Sequence, residues 1–520
     1  MLFYNERTMS HPLTRRGFLA AGASLLPLTV PEAARSMYLA QPGIKSDPFA
    51  LGVSSGDPLP GAVVIWTRLT PAATDSWAKD RVQVQWEVAT DEKITNIVRR
   101  DSTFATPELG HSVHVDVTGL KANRWYFYRF RAGGEVSAVG RTKTAPSTND
   151  KNAQLNFAFA SCQHWETGYY TAYKDMARQD LDLVVHLGDY IYEREGIDGR
   201  VRKHTGGEIN SLTDYRNRYA LYRSDPHLRE AHRLFPWIVT WDDHEVDNNY
   251  AGDIPEDKQT RQVFLERRAN AYQAYYEFMP LRRTSMPQGS KLQLYRDFRF
   301  GSLAHFAVLD SRQYRTDQPC NDGDKAPCEA VFDPKATMLG PQQEEWLKGV
   351  LKTSKANWNV LANQVMMTKV DRKAGEGESF PMDQWAGYEA ARVRMMRYFA
   401  EQKPSNPVVI TGDIHTNWVA DLREDWRDSS KPIVGTEFVG TSISSGGDGS
   451  DTTERTQATL PENPQVKFFN AQRGYVRCKL TPKQWTSEYR VVEKVSVEGA
   501  PVTTRATFVV ESGKPGAQRA

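Results

Sequence analysis

The sequence predicts an α/β fold preceded by a small all-β segment. Residues from about 45 to 145 run in short stretches where apolar and polar side chains alternate. From Leu155 onward, strand-like and helix-like segments take turns. Four segments far apart in the chain also carry metal-binding side chains, three of them directly after a β-branched or aromatic run. Strand–helix alternation with ligand-type residues at strand ends marks a layered α/β fold, whose sites form beyond the carboxyl ends of the strands. At 520 residues the chain is long for one ordinary domain, and 39% hydrophobic with 25% charged residues suffices for a sizeable core.

Residues 1–40 are expected to be a signal peptide. Thr14-Arg15-Arg16-Gly17-Phe18-Leu19 opens a weakly apolar stretch to about Val30, interrupted by Gly22 and Pro27. That stretch is too short to cross a bilayer, and an arginine pair before it matches a twin-arginine export signal. The expected partner is the twin-arginine export machinery, with cleavage between Ala33 and Ala40 and a periplasmic or secreted mature protein. No later segment approaches about 18 uncharged apolar residues, so no stable membrane span is expected.

Residues 41–145 read as an N-terminal β-sandwich domain. Val82, Val84, Trp86 and Val88 alternate with Gln83, Gln85 and Glu87, and residues 113–117 alternate again. Residues 125–130 and, after Gly133-Gly134-Glu135, residues 136–144 complete the set. The stretch from Val117 to Thr144 resembles the last strands of a fibronectin type III domain. A polar linker, Ala145-Pro146-Ser147-Thr148-Asn149-Asp150-Lys151, separates it from a catalytic domain over 152–510. Strands are expected there at 155–160, 181–187, 234–241, 305–309, 358–363 and 407–411, with helices at 168–179, 262–278, 341–354 and 386–401. Strands return at 475–480, 485–492 and 503–510, and residues 511–520 are expected to form a frayed polar tail.

A formal net charge of +2 gives no global field, so neither nucleic acid nor an anionic surface is an expected partner. A monomer is expected. Cys320 and Cys328 flank a short polar loop and can form a local disulfide in an oxidising compartment. Cys162 stands alone at a strand end, either as a buried thiol or as a ligand.

Asp189 is central to the chemistry. It follows Val184-Val185-His186-Leu187-Gly188, so its carboxylate emerges at a strand tip, where its two oxygens can bridge two cations. Tyr192, three residues on, can offer a phenolate, which favours ferric iron; Cys162 can add a thiolate, which iron accepts and calcium does not. Of the adjacent Asp242 and Asp243, one is expected to bind metal and the other to orient neighbours. Asp413 and His415, at i and i+2, fall on one side of an extended chain. Cys162, Tyr192 and His415 suit Fe3+, Asp243 and Asp413 suit Ca2+, and Asp189 joins them. A uniform zinc pair is the weaker reading, because the second position lacks an evident imidazole ligand.

Such a site performs phosphoryl transfer on phosphate esters. His244 is a candidate proton donor or phosphate contact, Arg312 a candidate phosphate clamp, and Asn248 or Asn249 a neutral donor or carbonyl ligand. Structural alternatives exist for each piece. The 242–245 segment can be a helix cap, 412–415 a plain turn, and Arg312 a partner of Asp310 or Asp317. His204, His227 and His232 are expected at the surface or in a lid.

Ser161-Cys162, Gly188-Asp189-Tyr190-Ile191-Tyr192-Glu193, Trp241-Asp242-Asp243-His244-Glu245-Val246-Asp247-Asn248-Asn249, Asp310-Ser311-Arg312-Gln313-Tyr314 and Gly412-Asp413-Ile414-His415 together resemble the PhoD-type alkaline phosphatases. Gly52-Val53-Ser54-Ser55-Gly56-Asp57-Pro58 and Trp66-Thr67-Arg68 extend the resemblance into the front segment. It implies a calcineurin-like metallophosphoesterase core, a four-layer α/β/β/α sandwich, with a site similar to that of purple acid phosphatase. It further implies iron on Cys162, Asp189, Tyr192 and His415, calcium at Asp189, Asp243 and Asp413, and phosphate on Arg312. The implied activity is hydrolysis of phosphate monoesters and diesters, the latter including teichoic acids or phospholipids. A phospholipase D-like phosphodiesterase acting on lipid head groups is the alternative. A binding module without activity leaves the thiol, acid and histidine set unexplained. In some members of the family a C-terminal helix limits access to the site, whereas this end reads mainly as strands and a polar tail.

Overall fold

Alternation decides which face of each strand is buried against what. In the strand Leu155–Ala160, Leu155, Phe157 and Phe159 enter one apolar cluster while Ala158 and Ala160 enter another. The strands Leu183–His186 and Pro236–Val239 repeat the split, with Leu183, Val185 and Ile238 on the first side and Val184, Trp237 and Val239 on the second. A period of two thus separates two cores across one sheet. The computed structural model describes residues 44, 46–72 and 75–520, so the expected export segment and its cleavage site lie outside the described residues.

Two large sheets result. One has ten strands, with Leu155–Ala160, Leu183–His186, Pro236–Val239 and Val53–Leu59 running parallel at its centre. The other has seven, with Ala304–Val308, Trp358–Ala362, Pro407–Thr411 and Gly435–Val439 parallel. Phe306, Val360 and Ile410 of the second sheet meet Phe157, Val185 and Ile238 of the first in one shared core. On the other side of the ten-stranded sheet lie the helices Leu212–Arg223, Pro226–Leu234 and Arg261–Phe278; beyond the seven-stranded sheet lie Gly340–Thr353 and Glu389–Gln402. The fold is mixed α/β, with several sheets and helices packed on them.

Three expectations change. The front segment was expected to stand apart as a sandwich. Its strands Val53–Leu59, Ala62–Arg68 and Ser112–Thr118 instead extend the ten-stranded sheet, through parallel pairing of Ser55 with Pro236 and Gly56 with Trp237. The remaining front strands form a separate five-stranded sheet, and both contribute to one core containing Val63, Ile65, Val84, Tyr128 and Phe130. Second, the expected frayed tail is the strand Lys514–Arg519, paired antiparallel with Val502–Glu511, and Ala517 buries its methyl group in the shared core. Third, sequence periodicity missed the helices Leu212–Arg223 and Pro226–Leu234. The buried face of the first is Tyr215, Tyr219 and Tyr222, at i, i+4 and i+7, whose hydroxyls disguise an apolar stripe. Its capping box, Ser211 with Asp214, and the Asp225-Pro226 start of the second were the usable signals.

The expected disulfide between Cys320 and Cys328 is present. Among the described residues, no helix is long and apolar enough to cross a membrane.

Candidate metal centre

The site forms where the parallel strands of both sheets end. Cys162 follows Leu155–Ala160, Asp189 follows Leu183–His186, Asp242 to His244 follow Pro236–Val239, and Asp413 and His415 follow Pro407–Thr411. Ser161 pairs with Ser442, joining the two sheets at this edge. Cys162, Asp189, Asp413 and His415 have φ of 58°, 55°, 67° and 56°. Left-handed backbone is costly for residues other than glycine and persists only where surrounding structure enforces it. The enforcement is visible. Cys162 N–H donates to the Gly188 carbonyl at 3.0 Å and Gln163 N–H to the Asp189 carbonyl at 3.0 Å. The Glu245 carboxylate accepts from the N–H groups of Asp189 (3.2 Å), Tyr190 (2.5 Å) and Asp242 (2.9 Å), pinning two strand ends together. Gly188, at φ 115°, is required here, because a Cβ would lie 2.5 Å from the Asp242 backbone nitrogen.

Ligand atoms of Cys162, Asp189 and His415 lie within 4.8 Å of one another. The Tyr192 hydroxyl is 2.9 Å from Asp189 Oδ2 and 3.2 Å from His415 Nε2. Its ring sits between His164 and His244, with centroids 4.4 and 4.1 Å away. Burial, then the Asp189 charge, pushes both the Cys162 thiol and the Tyr192 phenol well above their ordinary ranges. Burial likewise raises the Asp189 carboxyl well above its ordinary value, against the opposing pull of His244. Burial, then Arg473, lowers His415 to about 3, which favours the neutral imidazole. A nearby cation favours the ionised forms of thiol, phenol and carboxyl, so this buried set has the chemistry of a candidate metal site.

A second cluster shares Asp189: its ligand atom and those of Asp243 and His244 also lie within 4.8 Å of one another. Asp243 Oδ2 accepts from Asn249 N–H at 2.7 Å, while Oδ1 of Asp243 and Oδ1 of Asp189 are buried without a hydrogen-bond partner. Orphaned buried carboxylate oxygens are what a cation satisfies, so the residues fit metal binding. Asp413 accepts from Gln384 at 3.2 Å, and burial, then Asp383, raises it to about 6; it lies outside both close clusters.

His244 Nδ1 lies 2.7 Å from Glu193 Oε2. Burial opposes charge on this imidazole, but Glu193, then Asp243 and Asp189, outweigh it and raise the pKa well above the ordinary value. The contact with Glu193 fixes the ring's orientation beside Asp243 and Asp189. The sequence reading placed His244 here as a proton donor or phosphate contact, and the structure sets its ring beside the Asp189–Asp243 cluster.

The structure corrects other assignments. Arg312 is fully buried: its Nε donates to Asp242 Oδ1 at 2.5 Å and its fork to both Asp383 oxygens at 2.7 and 2.8 Å. In this structure the guanidinium is committed to two carboxylates, Asp242 and Asp383, in place of the expected phosphate. Neither Asp310 nor Asp317, the partners in the structural alternative, takes its side chain; Asp310 accepts instead from the backbone N–H of Arg312 and from Trp241. Asn248 gives its backbone N–H to Glu193 and its side chain to Glu256, so Asn249 is the asparagine that touches Asp243. His204 and His232 are buried rather than superficial, His204 stacked on His164 and His232 on Trp237. The 242–245 segment is not a helix cap. Sequence reasoning gave no role to Glu193 and Glu245, although both stand inside quoted motifs. It missed Asp383, Gln384 and Ser445 altogether; Ser445 Oγ lies 2.8 Å from the Tyr192 hydroxyl, and nothing local in the sequence marked it.

Comparison with known proteins agrees with this architecture. Residues 157–489 match the family model described as PhoD-like phosphatase, and residues 33–146 match that of the PhoD-like phosphatase N-terminal domain. The chain is 48% identical to alkaline phosphatase D of Bacillus subtilis (strain 168), an alignment that covers 99% of this chain and 90% of that protein. A solved structure described as that of PhoD superposes with a TM-score of 0.90 at 51% identity, covering 92% of this chain and 93% of that one. The chain belongs to the PhoD-like phosphatase family.

Proposed function

We propose that the protein is an exported, metal-dependent alkaline phosphatase with phosphodiesterase activity. One observation carries the reading: Asp189 is shared by two clusters of different chemistry, one with thiol, phenol and imidazole, the other with carboxylate and a histidine hydrogen-bonded to Glu193. Cys162, Asp189, Tyr192 and His415 suit ferric iron, and Asp189, Asp243 and Asp413 suit calcium. When bound, the metals supply Lewis acidity toward phosphoryl oxygens and a more acidic water.

The chain's own residues do the rest. Glu193 keeps His244 charged and aimed into the pocket, where it donates to a phosphoryl or leaving-group oxygen. Glu245 fixes the loop that carries Asp189, and Arg312 holds Asp242 and Asp383 so that the adjacent Asp243 and Gln384 keep their direction. We also infer the four-layer α/β/β/α arrangement of calcineurin-like enzymes with a fibronectin type III-like front sheet, supported by the core between the sheets and the helices outside them. The Bacillus subtilis relative reported above is an alkaline phosphatase D, and the phospholipase D-like alternative is not carried further.

Elemental analysis and the visible spectrum of protein purified without chelator test the assignment, together with rates on an aryl phosphate monoester and a bis-aryl diester. Iron, calcium, a charge-transfer band and turnover of both esters are expected, and Asp189→Asn is expected to lose all four while the front core stays folded. Colourless, zinc-loaded, active wild type, or full activity in Asp189→Asn, contradicts it.

A further inference from the structure

The Cys320–Cys328 disulfide closes a loop whose place beside the site has no role in the reading above. Cys320, Asn321 and Asp322 are consecutive residues at φ 59°, 59° and 56°, a run of left-handed backbone that needs external restraint. Two connections lead from this loop to the centre. In one, Asp322 Oδ2 accepts from Asn249 Nδ2 at 2.7 Å, and Asn249 N–H donates to Asp243 Oδ2 at 2.7 Å. In the other, Met382 N–H donates to the Gly323 carbonyl at 2.9 Å, two residues before Gln384, which donates to Asp413 Oδ2 at 3.2 Å. Gln318, just before the loop, joins both: its amide donates to the Asn249 carbonyl at 2.6 Å and to Asp383 Oδ1 at 2.7 Å. The disulfide itself packs against an apolar cluster that includes Met382 and Phe380.

Both connections end on Asp243 and Asp413. No hydrogen bond described above joins this loop to Cys162, Tyr192 or His415. We propose that the disulfide-closed loop, acting through Asp322 and Met382, is a positioning device for the calcium side of the centre and not for the iron side. The proposal rests on the reading of Asp243 and Asp413 as calcium ligands. It gives the enzyme a redox-dependent affinity for its divalent cation: two-electron reduction by a dithiol opens the bond to two thiols, frees the left-handed run and loosens both carboxylates.

Two variants of the holoenzyme test this. Cys320→Ser/Cys328→Ser removes the bond, and Asp322→Ala removes one connection with the bond intact. Calcium binding is followed by equilibrium dialysis, and the iron side by the visible absorption band. The calcium dissociation constant is expected to rise about tenfold in each, the size typical of losing a residue that orients a metal ligand, with the band unchanged. Combining the changes is expected to add little, because both act through one element. Unchanged calcium affinity in both variants overturns the proposal, as does parallel loss of iron and calcium. Wild type that binds no calcium removes the underlying reading, and the proposal with it.

Discussion

Replacing Glu193 with glutamine removes one negative charge from its buried contact with His244 and keeps the side chain's length. The pair is separated by 2.7 Å, and Glu193 is 1% exposed. With charge centres about 4 Å apart and an effective dielectric of about 20, the attraction is worth about 4 kcal/mol. If all of it serves to keep His244 a charged donor in the transition state, the ceiling on the loss of kcat is about 1000-fold. Asp243 and Asp189 also favour the imidazolium and remain in the variant, so the expected loss is smaller, about 100-fold. The sign of the pH effect follows from the same contact. Glu193 raises the His244 pKa, so its removal lets the proton leave at lower pH, and the alkaline limb of the kcat profile moves toward acid. The assay is kcat against pH on a bis-aryl diester, with metal content checked by elemental analysis. An unchanged kcat and an unmoved alkaline limb at full metal loading would refute the role given to His244.

Arg312→Lys keeps a charge but cannot bond Asp242 and Asp383 together. Unfolding by urea is expected to show a loss of about 3 kcal/mol with KM changed less than about threefold; a tenfold rise in KM at full stability would restore the phosphate-clamp role. His186 is fully buried, and burial lowers its pKa to about 3. The unfolded chain takes up this proton below its ordinary value of about 6.5 and the folded chain does not, so the stability is complete above about 6.5 and is lost as pH falls toward 3. At about pH 4.5 the loss from this group is about 3 kcal/mol, and His186→Gln is expected to narrow the difference in unfolding free energy between neutral and acid pH, read from urea titrations, by about that amount.

What could be read from the sequence was whatever depends on short spacing. Asp189 and Tyr192 are three residues apart and Asp413 and His415 two, and each pair follows a buried strand, so strand-end reasoning found them. The partners of Arg312 lie 70 and 71 residues away in sequence, beyond any periodic pattern. A guanidinium after a strand looks the same in sequence whether it meets phosphate or a buried carboxylate, so the sequence could not name Asp242 and Asp383 as its partners. The tyrosine-faced helix at Leu212–Arg223 was lost for a related reason: a residue with an apolar body and a polar tip is ambiguous until its neighbours are known. The tail was misjudged because its pairing with Val502–Glu511 comes from register and not from composition.

The parallel contact of Ser55 and Gly56 with Pro236 and Trp237 makes the two ends of the polypeptide's work inseparable. A protein trimmed to begin after the linker would leave Pro236–Val239 with a bare flank of amide and carbonyl groups, a ready template for another molecule's strand. The strand just before that flank's active-site turn is the one that carries Asp242, Asp243 and His244, so the front piece acts as a splint for the catalytic edge and not as an ornament on it.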